Sequence, residues 1–382
     1  MKIAIDVSQI VYEGTGVENY TRGLVENLIK IDHKNEYIFF GFSLRRTEVL
    51  SIFFKTLTEI NNKVKTKCFP IPQRLGNFLW NKLHLINIET LLGEIDIYHS
   101  SDWLQIPAKK AKKVTTVHDL IVYKYPATSH PYIIETQKKR LHWVRNECDL
   151  VFSDSEATKN DLVEILHFDK EKLAVVYPGI DEFYRKQGFE EIIRVKQKYG
   201  LYDDYLLFVG IQDPRKNLER VISAFEIFLR HPLIKSWKNP IELVIVGKKG
   251  WDEENKNENM RKNKYIKRLG MVNKEDMPAL YCGASLFIYP SLYEGFGLPV
   301  LEAMRCGCPV ITSSFGSLKE VVSNASLLVD PYDVEDISVK MTKLFIDKEL
   351  RESCVKKGLE NASKYRWEKT ASDVLNLYES LK

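Results

Sequence analysis

The chain has 382 residues, 44% of them hydrophobic, and a formal net charge of +4. This length accommodates two hydrophobic cores, so we expect two domains. The charge is small and its signs are interleaved, which does not indicate nucleic-acid binding. The six cysteines form no C-x-x-C pair, which argues against a zinc site and favours reduced thiols. The N-terminal apolar run is too short for a signal peptide, and no run approaches membrane-spanning length, so we expect a cytoplasmic protein.

Short apolar, β-rich segments alternate with amphipathic segments along the chain. Those of the first half are "KIAIDV", "YIFFGF", "KVTTVHD", "DLVFSDS" and "LAVVYPG". Those of the second half are "YLLFVG", "ELVIVG", "SLFIYP", "PVITSS" and "SLLVD". Residues 17–28 and 218–229 have apolar side chains at helical spacing instead. Continuous apolar strands separated by helices predict parallel sheets with helices on both faces, so the fold class is α/β.

The segment "VVYPGIDEFYRKQG" ends a predicted strand with Pro-Gly and continues as an irregular charged run, which predicts a domain boundary. We expect an N-terminal domain of residues 1–178, a C-terminal domain of residues 179–363 and a terminal helix in residues 364–382. One face of that helix is apolar and comprises Trp367, Ala371, Val374, Leu375 and Tyr378. This face can close the second core or return to the first domain.

The segment "YEGFGLPVLEAMRCGCPVI" at residues 293–311 is the strongest chemical signal in the sequence. Pro299 suits the first turn of a helix and Gly307 suits its end, which predicts a helix from about residue 299 to 306. Residues 295–298 then form the loop before the helix. Its amides, with the free amides of the first helical turn, make a site for phosphate or for sugar hydroxyls.

Two carboxylates flank that loop. Glu302 is predicted to lie in the first helical turn, where the helix dipole would keep it ionised and able to accept ribose hydroxyls. Glu294 lies at the mouth of the loop. It is placed to bind sugar hydroxyls or to stabilise positive charge at an anomeric carbon.

Other polar residues follow predicted strands. Arg215 and Lys216 in "FVGIQDPRKNL" could neutralise a diphosphate, although two such cations can also belong to a solvated loop. His118 ends the strand "VTTVHDL" and can be structural or functional. Gly14 and Gly16 precede the first helix, but the third glycine of a dinucleotide fingerprint is missing, which argues against a nicotinamide-linked oxidoreductase.

The E-x7-E pattern of Glu294 and Glu302, together with these segments, resembles the retaining glycosyltransferases of family 4. The resemblance implies the GT-B architecture, in which two Rossmann-like domains face a central cleft. It also implies that the terminal helix returns to the first domain. Ile211 stands where many members of the family carry an arginine, which moves that role to Arg215.

The resemblance assigns roles to individual residues. It implies that Glu294 and His118 are catalytic. It also implies a donor-binding set, which comprises Gly16, Arg215, Lys216, Val272, Gly295, Phe296, Gly297, Leu298 and Glu302.

The expected reaction is transfer of a hexosyl group from a nucleotide diphosphate sugar to a hydroxyl of a glycan or lipid-linked saccharide, with retained configuration and without a metal or cofactor. "VHDLIVYKYP" and "VGKKGW" resemble bacterial mannosyltransferases that use GDP-mannose for polysaccharide or lipopolysaccharide assembly. A sugar-nucleotide epimerase, a glycoside phosphorylase and a catalytically silent sugar-binding subunit are the alternatives.

Two further segments have plainer explanations. "AKKAKK" (108–113) and "QKKRLHWVR" (137–145) are either solvated faces or a surface that contacts an anionic membrane. "SLKE" (317–320) is expected to form a capping box, in which Ser317 and Glu320 bind helix amides reciprocally.

Overall fold

The computed structural model describes residues 1–210, 213–248 and 263–382. Ile211 and the last three residues of "VGKKGW" lie outside the described residues. Contacts divide the chain into two units, of which the first comprises Met1–Gly179 with Tyr365–Lys382 and the second comprises Ile180–Lys364. Each unit has a sheet of its own. We call the units the first and the second domain.

The first domain has a seven-stranded sheet in the order β3-β2-β1-β4-β5-β6-β7, in which all neighbours are parallel. Its strands are β1 (Lys2–Asp6), β2 (Glu36–Phe42), β3 (Lys65–Phe69), β4 (Ile97–Ser100), β5 (Lys112–Val117), β6 (Leu150–Ser153) and β7 (Leu173–Val175). Its α-helices before the boundary are α1 (Gly16–Ile31), α2 (Thr47–Ile60), α3 (Gln73–Gly76), α4 (Ile88–Leu92), α5 (Ile121–Lys124), α6 (Pro131–Glu147) and α7 (Glu156–Leu166). A π-helix at Asn77–Lys82 continues α3.

The second domain has a six-stranded parallel sheet in the order β10-β9-β8-β11-β12-β13. Its strands are β8 (Asp204–Val209), β9 (Ile241–Val246), β10 (Ile266–Gly270), β11 (Leu286–Tyr289), β12 (Val310–Ser313) and β13 (Leu327–Val329). Its α-helices are α8 (Phe189–Tyr199), α9 (Leu218–Arg230), α10 (Pro232–Lys235), α11 (Met277–Gly283), α12 (Leu298–Arg305), α13 (Gly316–Val322), α14 (Val334–Ile346) and α15 (Lys348–Ala362).

The C-terminal helix α16 (Trp367–Glu379) packs into the core of the first domain, beside α1. Trp367 and Tyr378 belong to the same buried cluster as Leu24 of α1. Gly23 permits this approach, because a Cβ atom there would lie 2.2 Å from the Trp367 ring. A larger residue at position 23 would therefore push the terminal helix away from α1.

The α/β class and the parallel sheets confirm the prediction of fold class. Each of the quoted apolar segments contains a strand. The quoted segments do not include β3, β4 or β10, and of these three strands β3 and β10 lie at the edge of their sheet. Neither has a fully buried residue, so neither has the continuous apolar run that marks a central parallel strand.

Strand order locates the places where a ligand can bind. In the second domain, β8 lies between β9 and β11, so the connections after β8 and β11 diverge at the carboxyl ends of these strands. Open α/β sheets bind ligands outside the carboxyl ends of strands at such a point. The segments that follow β8 and β11 contain Arg215, Lys216 and Glu294.

Candidate active site

The helix after Glu294 begins one residue earlier than the sequence pattern predicts. α12 runs over Leu298–Arg305, with Pro299 in its first turn. Gly297 precedes it with a φ of 108°, and Gly307 follows it with a φ of 78°. Both backbone conformations favour glycine. A Cβ at Gly297 would also lie 2.5 Å from a methyl group of Leu318, so this turn has no space for a side chain.

Few amides of this helix start are available to a ligand. Pro299 has no N–H, and the N–H of Val300 donates to the Gly297 carbonyl at 3.0 Å. The amides of Gly297 and Leu298 have no acceptor among the described residues. We expected an anion to bind the amides of residues 295–300. At the start of the helix, the amides of Gly297 and Leu298 are the two that remain available for this.

Glu302 does not lie in the first turn of α12, which contains no acidic residue. The prediction that the helix dipole keeps it ionised is wrong, because the side chain lies further along the helix among aromatic hydroxyls. Tyr281 donates its hydroxyl to Glu302 Oε2 at 3.0 Å. Burial raises the pKa of Glu302 to about 7, although hydrogen bonds from Tyr281 and Tyr184 act in the opposite direction. Glu302 therefore titrates near neutrality.

Glu294 lies in a cluster of cations and hydroxyls. Its Oε1 atom accepts from Lys216 Nζ at 2.6 Å and from the Tyr289 hydroxyl at 3.0 Å. Arg215 Nη1 lies 3.7 Å from Oε2. The structure thus brings together three residues that the sequence predicted to bind different parts of one donor, with Tyr289 beside them.

The protonation states of this cluster follow from its charges. Burial would raise the pKa of Glu294, but Lys216 and Arg215 outweigh burial and hold the pKa below its ordinary value. Burial also lowers the pKa of Lys216, an effect that Glu294 partly offsets. Only 9% of the Glu294 side chain and 13% of the Lys216 side chain are exposed. A buried pair of this kind is poorly screened by solvent.

Local contacts fix the segment that presents the two cations. Asp213 caps the short 3-10 helix Pro214–Lys216, and its carboxylate also accepts from Arg215 Nε at 3.1 Å. The Arg215 carbonyl accepts from the Leu292 amide at 2.7 Å, which joins this segment to the chain just before Glu294. Asn217 has a φ of 65°, and its buried amide donates to the Pro290 carbonyl at 3.0 Å. Hydrogen bonds therefore join the segment of the two cations to the segment that precedes Glu294.

The expected capping box at residues 317–320 is wrong. Phe315 is the N-cap of α13, and no side chain of the described residues makes a capping hydrogen bond there. The Ser317 hydroxyl donates instead to the main-chain carbonyl of Glu294 at 2.7 Å. Ser317 lies inside α13 rather than before it, so its hydroxyl is free to fix the Glu294 loop.

The remaining donor-binding candidates of the second domain lie in loops at the same edge of the sheet. Gly295 and Phe296 lie between Glu294 and α12, and Phe296 is buried. Val272 is half-buried in the loop after β10. Gly270 before it has a φ of 68°, and a Cβ there would meet no atom within 4 Å. The loop of Val272 thus has open space beside its backbone.

His118 follows β5 in the first domain and is paired with a carboxylate. Its Nδ1 atom lies 2.7 Å from Asp154 Oδ2. Asp154 follows β6, the neighbour of β5 in the sheet. Burial lowers the pKa of His118, but Asp154, with Asp102 and Asp119 nearby, raises it further, so the net pKa lies above its ordinary value. Because Asp154 holds Nδ1, Nε2 is the ring nitrogen left for a substrate.

His99 at the end of β4 has a different role. Its two nitrogens lie 2.6 Å from the Tyr378 hydroxyl and 3.1 Å from Thr116 Oγ1. Burial lowers its pKa to about 3, so the ring is neutral. His99 therefore packs inside the first domain as a buried, neutral residue.

Gly16 is the first residue of α1 and is exposed. Thr15 caps the helix by accepting from the Glu18 amide at 3.2 Å. A Cβ at Gly16 would meet no atom within 4 Å. Gly16 is thus accessible to a ligand, but its local packing would also permit a small side chain.

Three residues that contact the predicted site residues had no role in the sequence-based prediction: Tyr289 and Tyr281 in the second domain, and Asp154 in the first. Tyr289 and Asp154 stand at or just after the carboxyl end of a strand, which is a signal that the sequence contained. Tyr281 gave no comparable signal, because a tyrosine within an apolar helix is usually a packing residue.

Family models match both domains of the chain. The family model described as Glycosyl transferases group 1 matches residues 189–361, and the one described as Glycosyltransferase Family 4 matches residues 14–182. The chain is a family 4 glycosyltransferase with the GT-B fold.

Among relatives of this glycosyltransferase is the O-antigen chain mannosyltransferase B of Escherichia coli, which is 29% identical over the full length of both chains. The serotype-specific mannosyltransferase WbdA of Escherichia coli is 29% identical over 72% of this chain and 34% of its own. Anabaena HepE in complex with UDP and glucose matches all of both chains with a TM-score of 0.72 and 16% identity, which bears on the fold alone.

Proposed function

We propose that the chain transfers a mannosyl group from GDP-mannose to a hydroxyl of a growing cell-surface polysaccharide, with retained anomeric configuration. The two Escherichia coli relatives are mannosyltransferases, which supports mannose as the sugar. The guanine base and the retained configuration rest on the resemblance of the sequence to family members.

The cluster of Lys216, Arg215 and Glu294 is the observation that supports this proposal most directly. A nucleotide diphosphate carries negative charge that grows as its bond to the sugar breaks. Two cations at a fixed position stabilise that growing charge without reorganising during the reaction. The Gly297 and Leu298 amides add dipoles of the same sign. Glu294 is held ionised by these cations, and in this proposal it binds sugar hydroxyls beside the diphosphate.

We further propose that attack and departure take place on one face of the sugar. The bond between C1 and the phosphate oxygen breaks, and its electron pair goes to the diphosphate. The acceptor oxygen then bonds to C1 from the same face and gives its proton to a diphosphate oxygen. Mass spectrometry of the intact protein after reaction with a 2-fluoro donor tests this route, since a glycosyl adduct on Glu294 would establish double displacement instead.

A donor panel read by released nucleotide tests the choice of substrate. GDP-mannose should be consumed in the presence of a saccharide acceptor, and UDP-glucose should be consumed much more slowly. A preference for a UDP-sugar would refute the proposed donor. The same panel without acceptor should leave the donor unchanged, whereas an isomerised nucleotide sugar would reveal an epimerase.

We propose that the reaction needs neither a metal nor another cofactor, because Lys216 and Arg215 supply the positive charge that a divalent ion would otherwise supply. In the described part of the chain, no three His, Cys, Asp or Glu side chains are grouped as metal ligands. Activity should persist in excess chelator. Complete loss of turnover that added Mg²⁺ restores would contradict this.

The acceptor is proposed to be lipid-linked and the enzyme to act in the cytoplasm at an anionic membrane surface. Among the described residues, no helix has the length and apolar character needed to span a bilayer. Lys109 and Lys110 of the 108–113 stretch are exposed, as are Lys138 and Arg145 of the 137–145 stretch. Arg140 of that second stretch is buried and donates to the Thr116 carbonyl at 3.0 Å, so it is not part of this surface.

A further inference from the structure

An apolar segment at residues 75–86 lies at the surface of the first domain. Five of the 20 exposed large apolar side chains in the described part of the chain lie within these twelve residues. They are Leu75, Phe78, Leu83, Leu85 and Ile86, each more than 40% exposed. So dense a group of exposed apolar side chains is unusual on a protein surface and marks an interaction site.

The underside of this segment is fixed to the domain. Trp80 is buried, and the Asn81 carbonyl accepts from Trp143 Nε1 at 2.9 Å. Asn77 Nδ2 donates to Thr136 Oγ1 on α6 at 3.1 Å. The ring of His84 stacks on Trp143 with its centroid 3.7 Å away. The exposed side chains are therefore held outward by a packed base, and they do not belong to a loop that could fold back.

The charged side chains within the segment itself are of one sign, and the acidic group that contacts its base is Glu147, which lies 3.1 Å from His84 Nε2. Residues 69–88 contain Arg74 and Lys82 but no aspartate or glutamate. Both cations are exposed, and Lys82 Nζ lies 5.5 Å from the centre of the Phe78 ring. Apolar groups with flanking cations suit the boundary between headgroups and acyl chains of an anionic bilayer. A protein interface, in contrast, is usually depleted of lysine.

Backbone conformation also singles out this segment. Ile86 has a φ of 63°, a region that β-branched residues rarely adopt. Asparagine adopts it more readily and would be polar at this exposed position. An isoleucine at position 86 is therefore poorly explained by folding alone and is explained by contact with an apolar phase.

We infer that residues 75–86 insert their exposed apolar side chains into an anionic phospholipid bilayer. This inference deepens the membrane contact proposed above and rests on it. The segment supplies the apolar contacts, whereas Arg74 and Lys82, with the basic stretches, supply attraction to the lipid headgroups.

Vesicle co-sedimentation of the full chain tests the inference. A variant with Leu75→Ser, Phe78→Ser and Ile86→Asn should bind phosphatidylglycerol-containing vesicles at least about tenfold more weakly, because three apolar side chains are lost from the contact. The matched control has Leu44→Ser, Ile52→Ser and Phe189→Ser, which replace exposed apolar residues elsewhere, and it should bind like wild type. Wild-type binding by the segment variant, or equal loss in the control, would overturn the inference.

Further measurements separate the alternatives. The single variant Ile86→Asn should weaken vesicle binding without lowering the melting temperature, which distinguishes lost contact from lost folding. The pair Arg74→Gln and Lys82→Gln should reduce the preference for phosphatidylglycerol over phosphatidylcholine. Sedimentation velocity provides another test, since a wild-type dimer that the segment variant disperses would assign these residues to a second copy of the chain and overturn the inference.

An assay of nucleotide release with a water-soluble saccharide acceptor separates this inference from the proposed chemistry. The segment variant should release GDP from GDP-mannose at the wild-type rate in that assay. If wild type transfers mannose but binds no vesicles, the membrane contact and this inference both fail while the enzymatic proposal stands. If substitution of Lys109 and Lys110 alone abolishes vesicle binding and the segment variant binds normally, only the inference fails.

Discussion

Glu294 and Glu302 are separated by eight positions, and the protein gives them opposite electrostatic surroundings. Lys216 lies 2.6 Å from Glu294, and Arg215 lies 3.7 Å from it, so this carboxylate stays ionised. Glu302 lies among tyrosine hydroxyls, and burial raises its pKa to about 7. Two carboxylates of one motif therefore have different chemistry: Glu294 carries a fixed charge, and Glu302 changes charge near neutral pH.

The largest effect is expected when the charge of Glu294 is removed. Glu294→Gln should lower kcat for mannosyl transfer by about a thousandfold, or roughly 4 kcal/mol, because the group that orients the sugar and the cations loses its charge. The measurement is steady-state release of GDP. Glu349→Gln on α15, at an exposed position, is the control and should behave like wild type. Full activity of Glu294→Gln would refute the assignment of the site.

Glu294→Gln should also destabilise the fold by about 3 kcal/mol, because it leaves the Lys216 charge buried without its partner. Combining it with Lys216→Met removes that uncompensated charge. The double variant should regain most of the lost stability in chemical denaturation and remain inactive. Recovery of activity together with stability would mean that the pair serves only the fold.

The next effect concerns a third carboxylate, Asp154, which acts through a neighbour. Asp154→Asn should lower kcat roughly 10- to 100-fold, because a hydrogen bond to a charged group contributes about 1.5 to 3 kcal/mol and here orients His118. In NMR titrations the same variant should lower the pKa of His118, since its closest negative charge is gone. The variant with His118→Ala and Asp154→Asn should be no slower than His118→Ala. Additive losses would show that Asp154 acts independently.

A smaller effect is expected from the titration of Glu302. GDP binding should tighten about tenfold as the pH rises through about 7, because the carboxylate that we expect to bind the ribose could accept from both hydroxyls only when it is ionised. Glu302→Gln should flatten this dependence in isothermal titration calorimetry. Tyr281→Phe should move the midpoint to higher pH, since the Tyr281 hydroxyl favours the ionised form. An unchanged profile in both variants would exclude Glu302 as the titrating group.

The raised pKa of Glu302 also predicts how the stability of the protein depends on pH. The pKa of Glu302 in the folded protein, about 7, lies above its ordinary value of 4.5. Its contribution to stability is therefore complete below about pH 4.5 and declines as the pH rises towards 7. Denaturant unfolding of wild type and Glu302→Gln should show this decline in wild type alone. Glu294, whose pKa is lowered, should add no pH dependence in that interval.

The two carboxylates also show which features of the protein can be predicted from its sequence. Central parallel strands such as β8 and β11 were predictable because both of their faces are covered and their residues are continuously apolar. The helix after Glu294 was predictable within one residue from Pro299 and Gly307. These signals come from residues that are neighbours in the chain, so they can be recognised in the sequence.

The surroundings of Glu302 are not local. Tyr281 is 21 residues away in the chain, and Tyr184 is more distant still. Helix position alone predicted an ionised carboxylate, but Glu302 lies beyond the first turn, and burial among distant residues raises its pKa. Likewise, nothing near Lys216 in the sequence specifies that it pairs with Glu294 across 78 positions. Tertiary contacts of this kind determine the charge of a site and cannot be derived from spacing.

The smallest effect belongs to Ser317, where a local interpretation was wrong. Ser317→Ala removes the hydrogen bond to the Glu294 carbonyl and should lower the free energy of unfolding by about 1 kcal/mol. Ser363→Ala is a matched control, because that hydroxyl donates to the Glu360 carbonyl at the same 2.7 Å but at an exposed position. Its effect on stability should be smaller.

Donor kinetics separate the two possible roles of Ser317. If its hydroxyl fixes the loop of Glu294, Ser317→Ala should raise KM for the donor by about threefold, since loosening the loop weakens binding of the sugar by roughly 0.6 kcal/mol. If Ser317 only stabilised the start of α13, stability would fall and KM would not change. Ser363→Ala should leave KM unchanged, so a rise in KM specific to Ser317→Ala would show that this hydroxyl helps to hold the ionised carboxylate in place.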